Sequence, residues 1–439
     1  MNKLNKSQPQ NKMFKQLIDL LTSNHDIKDW QLYSNITNAI EAGFVEKELG
    51  MIYTPIQIAN MHSLDYLVKF NNGHIAQGSV NPHLFTDVAQ IMAIIKSTAT
   101  PLSSAPNLAQ IDASYEPPTL SDAHVSDVVA NHPEAIVDLA QKFMHSQLAY
   151  KLANLEGQVR IKSNNLKFAN SSGAQLESHE TGSSYFAEYN AEVGVYENSV
   201  SMVKTSDLER FALLAEYAKA LKQPKIKLKD GNYKVVFDPG YGFGLLDTFI
   251  LKNISGSQVE AGVGRFAKSD FTSHKPIAHP KFDLSIDQTL PLNTDSFSFN
   301  KEGIVGQKFD VIRAGKLTEP ICNLQSAQKL GITPRALSSL AAAQLEGQKY
   351  QEFIKTNSTF ILILSVLGLH TQNEVLGNYS LPSPSALYFE DGKLVGPVSC
   401  IITGDMFAKL MSPELGFVQL DAYNKPSLYF DSDVTFKTA

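Results

Sequence analysis

Between Gln158 and Val200 the chain alternates apolar and polar residues, most plainly where Tyr185, Ala187, Tyr189, Ala191, Val193 and Val195 share one side. A period of two is what a half-buried antiparallel strand requires, because successive side chains leave the backbone on opposite faces. This stretch commits the first part of the chain to a sheet and reads as the end of a first domain.

Turn chemistry extends that reading. Asp65 to Val80 forms two apolar runs around Asn71-Asn72-Gly73, residues that tolerate the positive backbone angles of a tight hairpin. The same logic predicts hairpins at Ala314-Gly315 and Asp391-Gly392. Between the hairpins the spacing turns helical. Phe14, Leu17, Ile18 and Leu21 form one stripe, Phe85, Val88, Ile91, Met92 and Ile95 another, and Ile136, Leu139, Ala140 and Phe143 a third behind Pro133. Ser206-Asp-Leu-Glu209 has capping-box spacing and opens a helix whose stripe is Leu208, Phe211, Leu214, Ala215, Ala218 and Leu221. After Pro224 strand signals dominate. Ile226 and Leu228 alternate with Lys225, Lys227 and Lys229, then come Tyr233, Val235 and Phe237, and the apolar run from Phe360 to Leu369 reads as a buried strand.

The fold class expected is α+β: an N-terminal two-layer α/β domain with an antiparallel sheet, and a C-terminal domain of mainly antiparallel β with a few helices. Residues 1–12 are polar and expected to be flexible, 13–205 form the first domain, 206–224 a linking helix and 225–439 the second domain. A chain of 439 residues, 43% hydrophobic and 19% charged, can bury cores of that size. Its net charge of -6 supplies no basic field for nucleic acid or anionic lipid. Cys322 and Cys400 are too few for a disulfide framework, and their apolar flanks suggest buried strands. The polar amino terminus lacks the apolar core of a signal peptide, and no apolar run approaches the roughly 20 residues of a membrane span, so a cytoplasmic protein is expected.

Several motifs have plain structural readings. His179-Glu180 has no second histidine at metalloprotease spacing, and Pro276 and Pro280 keep His274 and His279 in a loop. Gly240-Tyr-Gly-Phe-Gly244 lacks both the dinucleotide fingerprint and the P-loop ending, so it reads as a tight strand-to-helix turn. Asp283, Asp287 and Asp295 lack calcium-loop spacing and read as solvated loop charges.

Residues 296–331 carry the most specific pattern. A Phe-x-x-Glu-Gly turn ends at Glu302 and Gly303, a hairpin follows with Gly315 and Leu317, and Ser326, Ala327, Lys329, Leu330 and Gly331 close the block. This resembles the signature block of the TldD/PmbA family, whose members are described as peptidases and modulators of DNA gyrase. Asn170-Ser171-Ser172-Gly173 with Thr181, then Phe389 to Val398, Thr403-Gly404-Asp405-Met406 and Asn424 to Phe430 resemble further family blocks in order.

The resemblance implies a chemistry to look for. The catalytic branch, TldD, holds zinc with His-Glu-x-x-x-His on a helix and a later cysteine, the glutamate acting as general base on metal-bound water. In this sequence the two imidazole positions fall on Asp247 and Lys252, the base falls on Thr248, and residues 415–423 contain no cysteine. The pattern therefore resembles the non-catalytic PmbA/TldE branch. It implies no cofactor in this chain, zinc held by a TldD-like partner, a peptide substrate, and a hetero- or homodimer with no nucleic acid or membrane contact. A divergent homomeric peptide-binding protein is the alternative. Asn378, Tyr379 and Ser380, in the family's Gly-Asp-Phe/Tyr-Ser position, are expected to line the cleft, followed by a loop stiffened by Pro382 and Pro384.

Overall fold

The computed structural model describes residues 7–436 apart from 48–49, 102–106, 113, 153, 190–192 and 204–209. Among these residues the strands form an eight-stranded sheet, a seven-stranded sheet and a small three-stranded one. The first sheet contains β1 (Ile27–Lys47), β2 (Gly50–Tyr53), β3 (Gln57–Phe70), β4 (His74–Val80), β5 (Thr100–Pro101), β6 (Glu156–Asn170), β7 (Gln175–Tyr189) and β8 (Val193–Ser199). Its order is β5-β4-β3-β1-β6-β7-β8, with β2 also on β1, and every pairing is antiparallel.

Helices cover this sheet as their stripes require. α1 (Ser7–Ser23) buries Leu17 and Leu21, and α2 (Val88–Ser97) buries Ile91, Met92 and Ile95 in the same cluster with Trp30, Leu32 and Val68. The helix therefore begins at Ser7, inside the stretch expected to be flexible. α3 (Ala123–Asn131) and α4 (Ala135–Leu148) pack on the other half, where the Phe143 ring meets Tyr185 and Phe211 edge-on at 5.0 and 5.2 Å. Such aromatic contacts add to the burial of apolar area itself.

The alternation around Tyr185 divides between two strands. Tyr189 pairs with Val193 across a turn, so β7 and β8 are a hairpin rather than one strand, and Ala191 lies outside the described residues. The capping box at Ser206–Glu209 lies outside them as well. Its helix is α5 (Arg210–Leu221), which buries Phe211, Leu214, Ala215 and Ala218 in a cluster shared with Phe360, Leu387 and Phe389 of the second sheet. One core thus continues across the two halves.

The second sheet contains β9 (Gly231–Phe237), β13 (Gln348–Lys349), β14 (Phe360–Ile363), β15 (Asn378–Glu390), β16 (Lys393–Asp405), β17 (Gly416–Gln419) and β18 (Ser427–Phe436), and the small sheet contains β10 (Leu284–Asp287), β11 (Lys308–Arg313) and β12 (Lys316–Leu317). β18 pairs with both β16 and β9, closing β9, β18, β16, β15 and β14 into a ring. Closure removes the open edges that would otherwise invite pairing with other chains. Two pairings, β9 with β14 and β13 with β17, are parallel. The fold class is α+β with mainly antiparallel sheets, as expected.

Local differences have local reasons. Residues 225–229 are not a strand; Ile226 and Leu228 instead pack against the core from an irregular segment whose Ile226 N–H donates to the Pro397 carbonyl at 2.8 Å. Pro382 and Pro384 lie within β15, not in a loop: Pro382 stands opposite Ile401 in the ladder, and a register shift between Ser383 and Ala386 takes Pro384 out of it. Cys400 sits in β16, whereas Cys322 is buried just outside any strand. Among the described residues no helix is long and apolar enough to cross a membrane.

Candidate functional site

The helix that follows β9 organises the largest described cavity. Asp238 caps it by accepting the Gly240 N–H at 2.9 Å, and Pro239 occupies the first turn, where its missing N–H costs nothing. α6 runs from Pro239 to Leu246, so the glycine-rich segment is helix and not an open turn. At Gly242 an added Cβ would lie 3.0 Å from the Leu428 Cβ, which explains one small residue where the helix crosses β18.

From Asp247 to Leu251 the helix widens into a π turn, in which the Lys252 N–H donates to the Asp247 carbonyl. The widening has a consequence for side chains. In an α-helix, residues five apart point about 140° away from each other. A turn that holds one more residue brings them back toward the same side, and π turns recur at functional sites for such reasons. Asp247, Thr248 and Lys252 accordingly all line one cavity of about 860 Å³. Leu245, Leu246, Phe249 and Ile250 hold the opposite face in the core.

The rest of the lining comes from the signature block and the chain beyond it: Asn300, Lys301 and Glu302, then Asn323, then Arg335. Asn300 shapes its own loop, its Oδ1 accepting the N–H groups of Glu302 and Ile304 at 3.0 Å each. Glu302 accepts the Leu324 N–H at 3.1 Å, and Asn323 caps the helix Leu324–Leu330 through the Ser326 N–H at 2.8 Å. Arg335 pairs with Glu319 at 2.8 Å over the Phe309 ring. Asn300 to Glu302 and Asn323 fell inside the family block read from the sequence, but nothing in their spacing marked them as a lining, and Arg335 lay beyond that block.

Asp247 is committed elsewhere. Its carboxylate accepts the Ser339 hydroxyl and the Leu340 N–H, each at 2.6 Å. Burial raises its pKa above the usual carboxylate range, while those two hydrogen bonds pull it back. The donor set does not suit zinc. Beside this carboxylate stand a hydroxyl and an ammonium, and an ammonium has no lone pair to give. Among the described residues no three His, Cys, Asp or Glu side chains gather into a metal-holding group.

The other sequence candidates, apart from Asp295 on the cavity's border, lie away from it. Tyr379 is in the core, its hydroxyl 2.9 Å from the Ser432 Oγ and its ring 6.5 Å from that of Phe249, so it supports the helix from behind. Asn378 and Ser380 are exposed on β15 beside it. His179 bonds Asn165 and Ser126 at 2.9 and 2.8 Å, and His274 bonds the Leu317 carbonyl at 3.1 Å. Asp283, Asp287 and Asp295 bind the Ala314 N–H, Lys308 and Lys425 respectively.

Comparison with known proteins follows the same division of the chain. Residues 230–428, which include the helix and the whole lining just described, match the PmbA/TldA metallopeptidase C-terminal domain. No curated protein matches the sequence. Three solved structures share the fold across almost the full length. A candidate modulator of DNA gyrase from Bacteroides thetaiotaomicron is 18% identical, with 98% of this chain and 99% of that one covered and a TM-score of 0.78. A second candidate gyrase modulator, from Thermotoga maritima, is 16% identical with 97% and 100% covered and a TM-score of 0.77. TldE from Thermococcus kodakarensis is 14% identical with 97% and 99% covered and a TM-score of 0.72. Residues 230–428 thus carry the family's C-terminal domain, and across almost its full length this chain is similar in fold to members of the PmbA/TldD/TldE family.

Proposed function

We propose that the chain is a PmbA/TldE-like, non-catalytic subunit of a TldD–TldE-type zinc metallopeptidase complex acting on peptides in the cytoplasm. One observation carries this reading: the three positions of the zinc motif face a large cavity, yet they are filled by Asp247, Thr248 and Lys252. The cavity wall is retained and the metal donors are replaced. In such a complex a TldD-like partner holds the zinc and activates water. This chain contributes shape and charge, with Lys252, Lys301 and Arg335 offering cations to the carbonyl and carboxylate groups of a bound peptide.

Mixing the purified chain with its cognate TldD-like protein is expected to give a co-eluting complex with faster peptide cleavage than the TldD-like protein alone. Independent elution with unchanged cleavage would reject the reading. Peptide-dependent stabilisation of the isolated chain in that case would favour the homomeric peptide-binding alternative.

A further inference from the structure

A second cavity, of about 410 Å³, lies against the other side of Asp295. Its floor is the polar face of the first sheet, where Arg160, Lys162 and Asn164 on β6 stand opposite Ser184, Gly182 and Glu180 on β7. Its roof is formed by residues 293–296 and 424–425. Asp295 borders both cavities, and Lys425 holds it at 2.8 and 3.0 Å while donating to the Ala341 carbonyl at 2.5 Å. That ion pair forms the shared wall.

The lining is short of partners. Of the eleven buried side-chain polar atoms without a hydrogen bond among the described residues, four belong to this cavity: Arg160 Nε, Asn164 Oδ1, Glu180 Oε1 and Ser296 Oγ. Folded proteins pair nearly all such atoms, so a concentration of four in one cavity marks a place built to meet another molecule. Their chemistry is sorted by position. Arg160 sits at one end with its nearest carboxylate, Glu41, 3.9 Å away and beyond hydrogen-bond reach. Asn164 and Glu180 sit opposite each other at the far end, offering acceptors. Burial lifts the Glu180 carboxyl above its ordinary range, against the pull of Ser298 and Lys162. Between the ends Lys162 lies across Gly182, where a Cβ would come within 3.1 Å of the lysine Cε.

The length between these ends is specific. Four strand rises carry the chain from Arg160 to Asn164, about 13 Å in all. Three extended residues span about 10 Å, which leaves room for hydrogen bonds at the ends. We propose that this cavity binds a short peptide of about three residues by its free ends, the ammonium at Glu180 and Asn164 and the carboxylate at Arg160. The peptide class rests on the functional reading above, whereas the two ends rest on this lining alone.

The test is calorimetric titration of the isolated full chain at pH 7 with Ala-Ala-Ala, its N-acetyl form and its C-terminal amide. The free tripeptide is expected to bind at least about tenfold more tightly than either capped form, the size of effect of losing one charge-assisted hydrogen bond. Arg160→Met should abolish the preference for acid over amide, and Glu180→Gln the preference for free over acetylated amine. No binding at ~10 mM tripeptide, or equal binding of all three peptides, would overturn the proposal. The capped peptides report on the unaltered protein, so the outcome does not depend on a variant folding. Failure to bind a TldD-like protein would leave this titration unchanged, so the two readings fail separately.

Discussion

Gly303 joins the signature turn to the first sheet, and substituting it tests how that junction is built. Its φ is +77°, and an added Cβ would lie 2.3 Å from the Phe168 Cζ and 2.8 Å from the Ala109 Cβ. Phe168 cannot swing aside, because it is 1% exposed and leans on the Phe299 ring at 6.3 Å. Two costs therefore add in Gly303→Ala. The left-handed conformation costs an L residue about 1–2 kcal/mol, and overpacking costs about 1–3 kcal/mol. The sum, about 2–5 kcal/mol, corresponds to a fall in melting temperature of roughly 5–15 °C for a cooperative unit of about 200 residues. Scanning calorimetry should show that fall. Phe168→Leu removes the ring atoms nearest the new methyl, so the double variant should lose at least about 1 kcal/mol less than the two single losses combined. A single variant melting within about 2 °C of the parent, or strictly additive losses, would refute the packing argument.

Further expectations concern the helix and its neighbours. Burial pushes the Asp238 carboxyl up to about 6, so the folded state binds its proton more firmly than the unfolded chain does. Stability should then fall by about 3 kcal/mol in all as pH rises from about 3 to 7, and Asp238→Asn, which can still cap the helix, should flatten that part of a melting-temperature profile. Asp247→Ala leaves the Ser339 hydroxyl and the Leu340 N–H without their acceptor, so a loss of about 1–3 kcal/mol is expected, together with faster amide exchange at Leu340. Unchanged exchange there would sink the assignment. At Gly256 an added Cβ would lie 2.1 Å from the Cys322 Sγ. Gly256→Ala should therefore lower the melting temperature, and Cys322→Ala in the same chain should restore part of the loss.

What could be read from the sequence was whatever is decided locally. The hairpins at Asn71-Asn72-Gly73, Ala314-Gly315 and Asp391-Gly392 announce themselves because the turn needs positive φ, which Gly73, Ala314, Gly315, Asp391 and Gly392 adopt. Closure of the ring was not legible, since it depends on Tyr429 meeting Val236 across nearly two hundred residues. Pro382 and Pro384 misled for the opposite reason: the local rule against proline in strands is sound, but a bulge exempts Pro384, and Pro382 keeps its place opposite Ile401. Lys225 to Lys229 alternate but form no ladder with β16 beyond the Ile226 N–H bond to Pro397, and periodicity alone cannot supply one. The cavity positions 247, 248 and 252 were reachable through family likeness. The π turn that turns them to one side is a backbone hydrogen-bond shift, which no side-chain pattern records, and Lys301 and Arg335 reach the site only through tertiary folding.

The widened turn at Asp247 also makes this helix a ready platform for grafting a chelating pair. Asp247→His and Lys252→His would aim two ring nitrogens into the same space with the main chain left as it is. The engineer's difficulty would fall at Ser339 and Leu340, which would need a replacement anchor for the lost Asp247 carboxylate before the grafted ligands could be held still.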